Sequence, residues 1–93
     1  MTLPESITIN GCVIPIHHIK YLVRDYSRFG EYSSCEMEIN IDCDMSEQKK
    51  ELILCHEIVE AISDIHLLGL EDATIQSIAV ALYDILKNKQ VEF

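Results

Sequence analysis

The sequence contains no apolar run of the ~18 residues needed to cross a bilayer. Its opening stretch, MTLPESITING, lacks the basic region and apolar core of a secretory signal. The expectation is a cytoplasmic protein with no membrane partner. Cations are also scarce: seven Lys and Arg stand against sixteen Asp and Glu, a net charge of −9. Such a balance argues against nucleic acid as a partner, because its phosphates would be repelled. It allows a basic protein partner. It also allows mimicry of DNA, although the plainer meaning of an acidic surface is solubility. The four cysteines, Cys12, Cys35, Cys43 and Cys55, form no C-x-x-C pair, so a four-sulfur zinc site has no support. Without a secretory signal, disulfides are not expected. Each cysteine reads as a small buried apolar residue. There is no repeat, low-complexity tract or linker. What remains is a chain of 93 residues, 48% hydrophobic and 25% charged, which reads as one globular domain spanning 1–93, a monomer or a small homo-oligomer.

The first half carries strand signals. In ITINGCVIPI, apolar residues flank Asn10-Gly11, a pair suited to the positive φ angles of a tight hairpin. Pro15 cannot donate to a ladder, so the second strand is expected to lie at an edge or to stop there. HHIKYLV reads as a possible continuation of that strand, and RDYSRFG as a loop. CEMEINID alternates, with Met37, Ile39 and Ile41 on one face and Glu36, Glu38, Asn40 and Asp42 on the other. That is the pattern of a half-buried strand. GEYSS is expected to pair with it through a turn near Ser33-Ser34.

The period changes near Asp44. Asp44 and Glu47 resemble a capping box, and no Pro or Gly follows until Gly69, which reads as a C-cap. Leu54, Ile58, Ala61, Ile62, Ile65 and Leu68 recur at helical spacing as a core stripe. Ile62 in particular is expected to pack against the strand face and a second helix. That helix opens near Glu71-Asp72, where negative charge suits the dipole. Its buried stripe is expected to be Ile75, Ile78, Ala79, Leu82 and Leu86. The predicted fold is α+β: a small antiparallel sheet of three or four strands over residues 6–42, then two helices over about 45–67 and 71–88.

One stretch carries chemistry. LILCHEIVEAISDI begins a zinc-binding H-E-x-x-H motif at His56-Glu57, but Glu60 stands where the second histidine belongs. Residues four apart share a helix face, so His56 and Glu60 can converge on one ion, with Asp64 one turn further on. Zinc accepts both imidazole and carboxylate. Glu57 stands where the motif has its general base. A carboxylate-rich set holds zinc less firmly than two histidines and leans towards harder ions. The plainer reading of the same row is a solvated helix face. His17 and His18 are strand neighbours that point to opposite faces, so they cannot both hold one ion. One of them is expected at most to reach the helix as an outside ligand. His66 lies about 15 Å along the axis from His56, too far to share an ion with it.

The order of parts resembles the small phage and prophage zincin-like proteins, a minimal metallopeptidase group. The stretches that carry the resemblance are GEYSSCEMEINID, MSEQKKELILCHEIVEAISDI and LGLEDATIQSIAVALYDIL, roughly residues 30–88. An I-x-I-D strand leads into S-E and then L-x-H-E, and an A-L-Y segment closes the second helix. The resemblance implies His56 as first zinc ligand, Glu57 as catalytic base and Glu60 in the second ligand position, where the family has His. It implies a third, acidic ligand early in the second helix, for which Glu71, Asp72 and Gln76 are the candidates. A Gln76 ligand would offer a neutral amide oxygen, a poor zinc donor. These departures imply a degenerate metal site, with no zinc or weakly bound zinc, in a protein that no longer cleaves peptides. Such a protein acts by binding another protein, for example a host regulator or defence protein. The competing classes are an active zinc metallopeptidase using His56, Glu57 and Glu60, and a structural or assembly subunit.

Overall fold

The computed structural model describes residues 3–20 and 29–91. Tyr21, Leu22 and Val23, expected to extend a strand, and most of the RDYSRFG loop lie outside the described residues. Four strands are followed by two helices: β1 (Ser6–Ile9), β2 (Cys12–Ile19), β3 (Gly30–Ser33), β4 (Glu38–Asp42), α1 (Glu47–Ile65) and α2 (Asp72–Lys87). This is the expected α+β arrangement. No helix among the described residues is long and apolar enough to cross a membrane.

The hairpin forms where expected. Asn10 (φ 51°) and Gly11 (φ 81°) both take left-handed backbone, and Ile9 pairs with Cys12 across them. Two positive φ values in a two-residue loop match the right-handed twist of the strands they join. Pro15 does not end β2. Ile16 N donates to Glu5 O (2.8 Å), so the Pro15 nitrogen points away from β1. On that other side the β4 ladder begins only at Ile16, opposite Ile39. No ladder bond is lost, and the strand hands over from one partner to the other at the proline.

The sheet order is β1-β2-β4-β3. β1/β2 and β3/β4 are antiparallel, but β2 and β4 run parallel, from Ile16↔Ile39 to Ile19↔Asp42. The sheet is therefore mixed rather than wholly antiparallel. β2 and β4, which carry the buried Ile14, Ile16, Ile39 and Ile41, take the interior places, and half-buried β3 is left at the edge. A Cβ on Gly30 would come within 2.5 Å of Ile53 Cγ2, so β3 can lie this close to α1 only with glycine there.

Ser46, not Asp44, caps α1: its Oγ accepts from Lys49 N (3.3 Å), while the Asp44 amide donates to Asp42 Oδ1 (2.8 Å). Only a residue immediately ahead of the first turn can reach those amides. At the other end Leu68 N donates to Ser63 O (2.8 Å) and Leu67 N to Asp64 O (3.1 Å). These two bonds form a Schellman motif. The left-handed position within it is Leu67 (φ 54°), and Gly69 lies two residues further on. The helix thus closes before the expected glycine.

α1 buries two faces. Leu54 and Ala61, with half-buried Ile58 and Ile65, pack on Ile14, Ile16, Ile39 and Ile41 of the sheet. Cys55 and Val59 pack on Ile75 and Ala79 of α2, joined by Leu70, Leu82 and Tyr83. The expected single stripe held only the first face. Ile62 is half-buried and belongs to neither cluster, and Leu68 is exposed. On α2, Ile78 (44% exposed) and Leu86 (54%) also lie outside the core. The reason is rotation: α2 meets only the Cys55–Val59 side of α1, and its own contact arc is centred on Ile75 and Ala79. Among the cysteines only Cys55 is buried; Cys43 is half-buried, and Cys12 and Cys35, beside turns, are exposed. All four are free.

Candidate functional site

α1 carries His56, Glu57 and Glu60 at positions i, i+1 and i+4, within little more than one turn. One ligand atom from each of the three lies within 4.8 Å of the others. Glu57 is buried (5% exposed), while His56 and Glu60 are half-buried at the mouth of the group. The structure thus brings the three together.

α2 closes one side. Gln76 Oε1 lies 2.7 Å from His56 Nδ1. A carbonyl acceptor there puts the imidazole proton on Nδ1 and leaves the lone pair on Nε2. This is the tautomer that a ligating histidine needs, fixed by an outer hydrogen bond. Gln76 therefore orients His56 instead of converging with it. Glu71 and Asp72 stand exposed at the start of α2 and do not join the group. Glu71 occupies the N-cap position of α2, with no side-chain capping bond.

The donor set does not fit a catalytic zinc. That chemistry takes three protein ligands, an open position and a separate base. Here one imidazole and two carboxylates must cover all of it. With Glu57 as third ligand no base remains; with Glu57 as base only two ligands remain.

Neither His17 nor His18 reaches the helix. His17 Nε2 lies 3.1 Å from Glu38 Oε2 on the solvent face of the sheet, and His18 is exposed. His66 Nε2 donates to Asn10 Oδ1 (2.9 Å), tying the end of α1 to the hairpin.

Beyond Glu60 the α1 surface opens into a cleft of about 520 Å³. One wall is Tyr32 of β3 and the adjoining Ser34. The other is Glu60, Ser63 and Asp64 of α1, with Leu67, Gly69, Leu70 and Ile75 closing the far end. Tyr32 Oη donates to Asp64 Oδ2 (2.9 Å) and also lies 3.2 Å from Met37 Sδ. Burial, and then the Asp64 carboxylate that accepts its proton, push the Tyr32 phenol up to about 12. The hydroxyl therefore stays a donor across the physiological range. Ser63 Oγ accepts from Leu70 N (3.0 Å) and holds the turn between the helices against this cleft.

A second polar group lies at the opposite end of the seam between the helices. Glu51 is 2% exposed, and its Oε1 accepts from Tyr83 Oη and Lys87 Nζ, both at 3.0 Å. The Lys87 ammonium holds the Glu51 carboxyl below its usual range, against the opposing effect of burial. Burial and the nearby Glu51 charge push the Cys55 thiol up. Sequence reasoning missed this group, although Glu51 lies one turn before buried Cys55, a charged residue in line with the apolar face towards α2. It also missed Tyr32, which meets Asp64 across 32 positions with no local signal.

Comparison with known protein families, with curated proteins and with solved structures yields no match to this chain.

Proposed function

We propose that this chain is a zincin-like protein of phage or prophage type whose metal site is degenerate, and that it acts by binding another protein. The order of strands and helices supports the resemblance. A single contact carries the conclusion about catalysis: Gln76 of α2, a candidate for the third ligand, spends its carbonyl on His56 Nδ1 and so orients the imidazole instead of meeting an ion at Nε2. The site keeps an oriented imidazole and two carboxylates, a set suited at best to a weakly held cation. The cleft beside it lies between β3, α1 and the start of α2 and offers a surface for a partner.

The test is calorimetric titration of zinc into the wild type, His56→Ala and Glu60→His, with a peptidase assay on each. The wild type is expected to bind zinc weakly and to cleave nothing. Glu60→His is expected to tighten zinc binding, since the i, i+4 geometry and the His56 tautomer are already in place. Sub-micromolar zinc binding by the wild type, lost in His56→Ala and accompanied by cleavage, would replace this reading with an active metallopeptidase using His56, Glu57 and Glu60.

A further inference from the structure

We infer that the cleft between Tyr32 and the end of α1 receives a basic side chain, best an arginine, with an adjoining aliphatic residue from a segment of a protein partner. This rests on the protein-binding reading and adds to it the chemistry of the partner. The cleft is open to solvent, and its volume of about 520 Å³ has room for side chains laid into it and not merely for solvent. Its charge has one sign. Glu60 and Asp64 lie four apart on the same face of α1, and both line the cavity. Among the described residues no basic group pairs with either. Two acids elsewhere do have a lysine, Glu51 with Lys87 and Glu47 with Lys50. What sets this acidic pair apart is that both carboxylates line one cavity, where a partner can supply the complementary charge.

Local geometry selects the cation. Tyr32 Oη occupies Asp64 Oδ2 and, as a donor held well above neutral pH, fixes the carboxylate. Oδ1 is left to accept, with the Glu60 carboxylate one turn away. A guanidinium offers several donors in a rigid planar fork and can serve both carboxylates at once. An anion would be repelled. Beside the acids the lining turns apolar: Ile75 is 4% exposed at the bottom, and Leu70 is half-buried. At the rim Leu67 is 89% exposed in left-handed backbone, where a leucine costs stability. An aliphatic neighbour of the arginine would cover that surface.

The experiment is amide chemical-shift mapping by NMR, titrating the protein with the capped peptide Ac-Leu-Arg-Leu-NH2 and with its neutral citrulline analogue. The arginine peptide is expected to shift amides of Ser34, Asp64, Leu67 and Leu70, with an affinity that falls as salt rises. The citrulline peptide and the Asp64→Asn variant are each expected to bind about tenfold more weakly or worse, the size of a lost charge-assisted hydrogen bond. Asp64 is exposed, so Asp64→Asn is expected to fold, and its spectrum checks that. Tyr32→Phe, which frees Asp64 from its fixed orientation, should weaken arginine binding by a smaller factor. Equal binding of arginine and citrulline peptides, shifts that map outside the cleft, or no binding would overturn the inference. None of those outcomes touches the degenerate-site reading, which stands or falls on the zinc titration and the peptidase assay.

Discussion

α1 and α2 meet along one seam, and its two ends handle acidic side chains in opposite ways. At one end Glu51 is buried and receives both a lysine and a tyrosine from α2. At the other end His56 is steered by Gln76, and Glu60 and Asp64 open onto a cleft with no cation of the described chain beside them. Both ends use residues four apart on the same helix. They differ in what α2 brings. A charge neutralised inside the chain holds two helices in register; a charge left at a cavity mouth is a demand on something outside. The closed end therefore reads as structure, and the open end is the face we propose for a partner.

The sharpest way to break this comparison is at the buried seam beneath the cleft. Ile75→Ala removes a side chain that is 4% exposed and shared by the core and the cleft floor. The expected loss is about 2–5 kcal/mol by urea or thermal unfolding. A loss below about 1 kcal/mol would mean that the open end lacks a packed floor.

A smaller loss, with a pH signature, is expected from Lys87→Met at the closed end. The Glu51 carboxyl is lower in the folded chain than its ordinary value of 4.5, chiefly because of Lys87. A depressed carboxyl contributes stability that is present above 4.5 and lost as pH falls through the folded value. Unfolding measured from pH 7 down to pH 3 should therefore show the wild type losing its advantage over Lys87→Met. A constant gap across that range would show that the lysine contributes packing alone.

Leu67→Gly should act in the other direction. Removing a left-handed leucine from the end of α1 is expected to raise stability by about 1 kcal/mol. Because Leu67 also forms the cleft rim, the same variant should bind the arginine peptide less well. A gain in stability with unchanged binding would separate the rim from the function. The smallest effect is expected for Asp64→Asn: stability within about 0.5 kcal/mol of wild type, as for an exposed position. A large stability loss there would mean that the Tyr32–Asp64 bond is structural and that the two ends of the seam are more alike than their geometry indicates.

Local periodicity by itself determined a good deal. Asn10-Gly11 specified the hairpin, because few residues tolerate two successive positive φ angles. The alternation through Ile39 and Ile41 specified a strand, but one confined to Glu38–Asp42: Met37 lies before it in left-handed backbone (φ 52°), and Asp42, expected on the polar face, is 2% exposed; the change of period near Asp44 specified the helices. The spacing of His56, Glu57 and Glu60 also placed them around one helix face. These are properties of neighbours on the chain, set by backbone geometry. Tertiary structure alone decided the rest: the parallel pairing of β2 with β4, the second buried face of α1 at Cys55 and Val59, and the placing of Ile62, Ile78 and Leu86 outside the core. It alone set Lys87 against Glu51, Gln76 against His56 and Tyr32 against Asp64, pairs separated by 36, 20 and 32 positions. Periodicity shows which side of an element is apolar, but not which element covers it, in which direction, or at what rotation. Those depend on how the sheet and the helices share one small core, and the long-range contacts that turn a row of acids into a site arise only then.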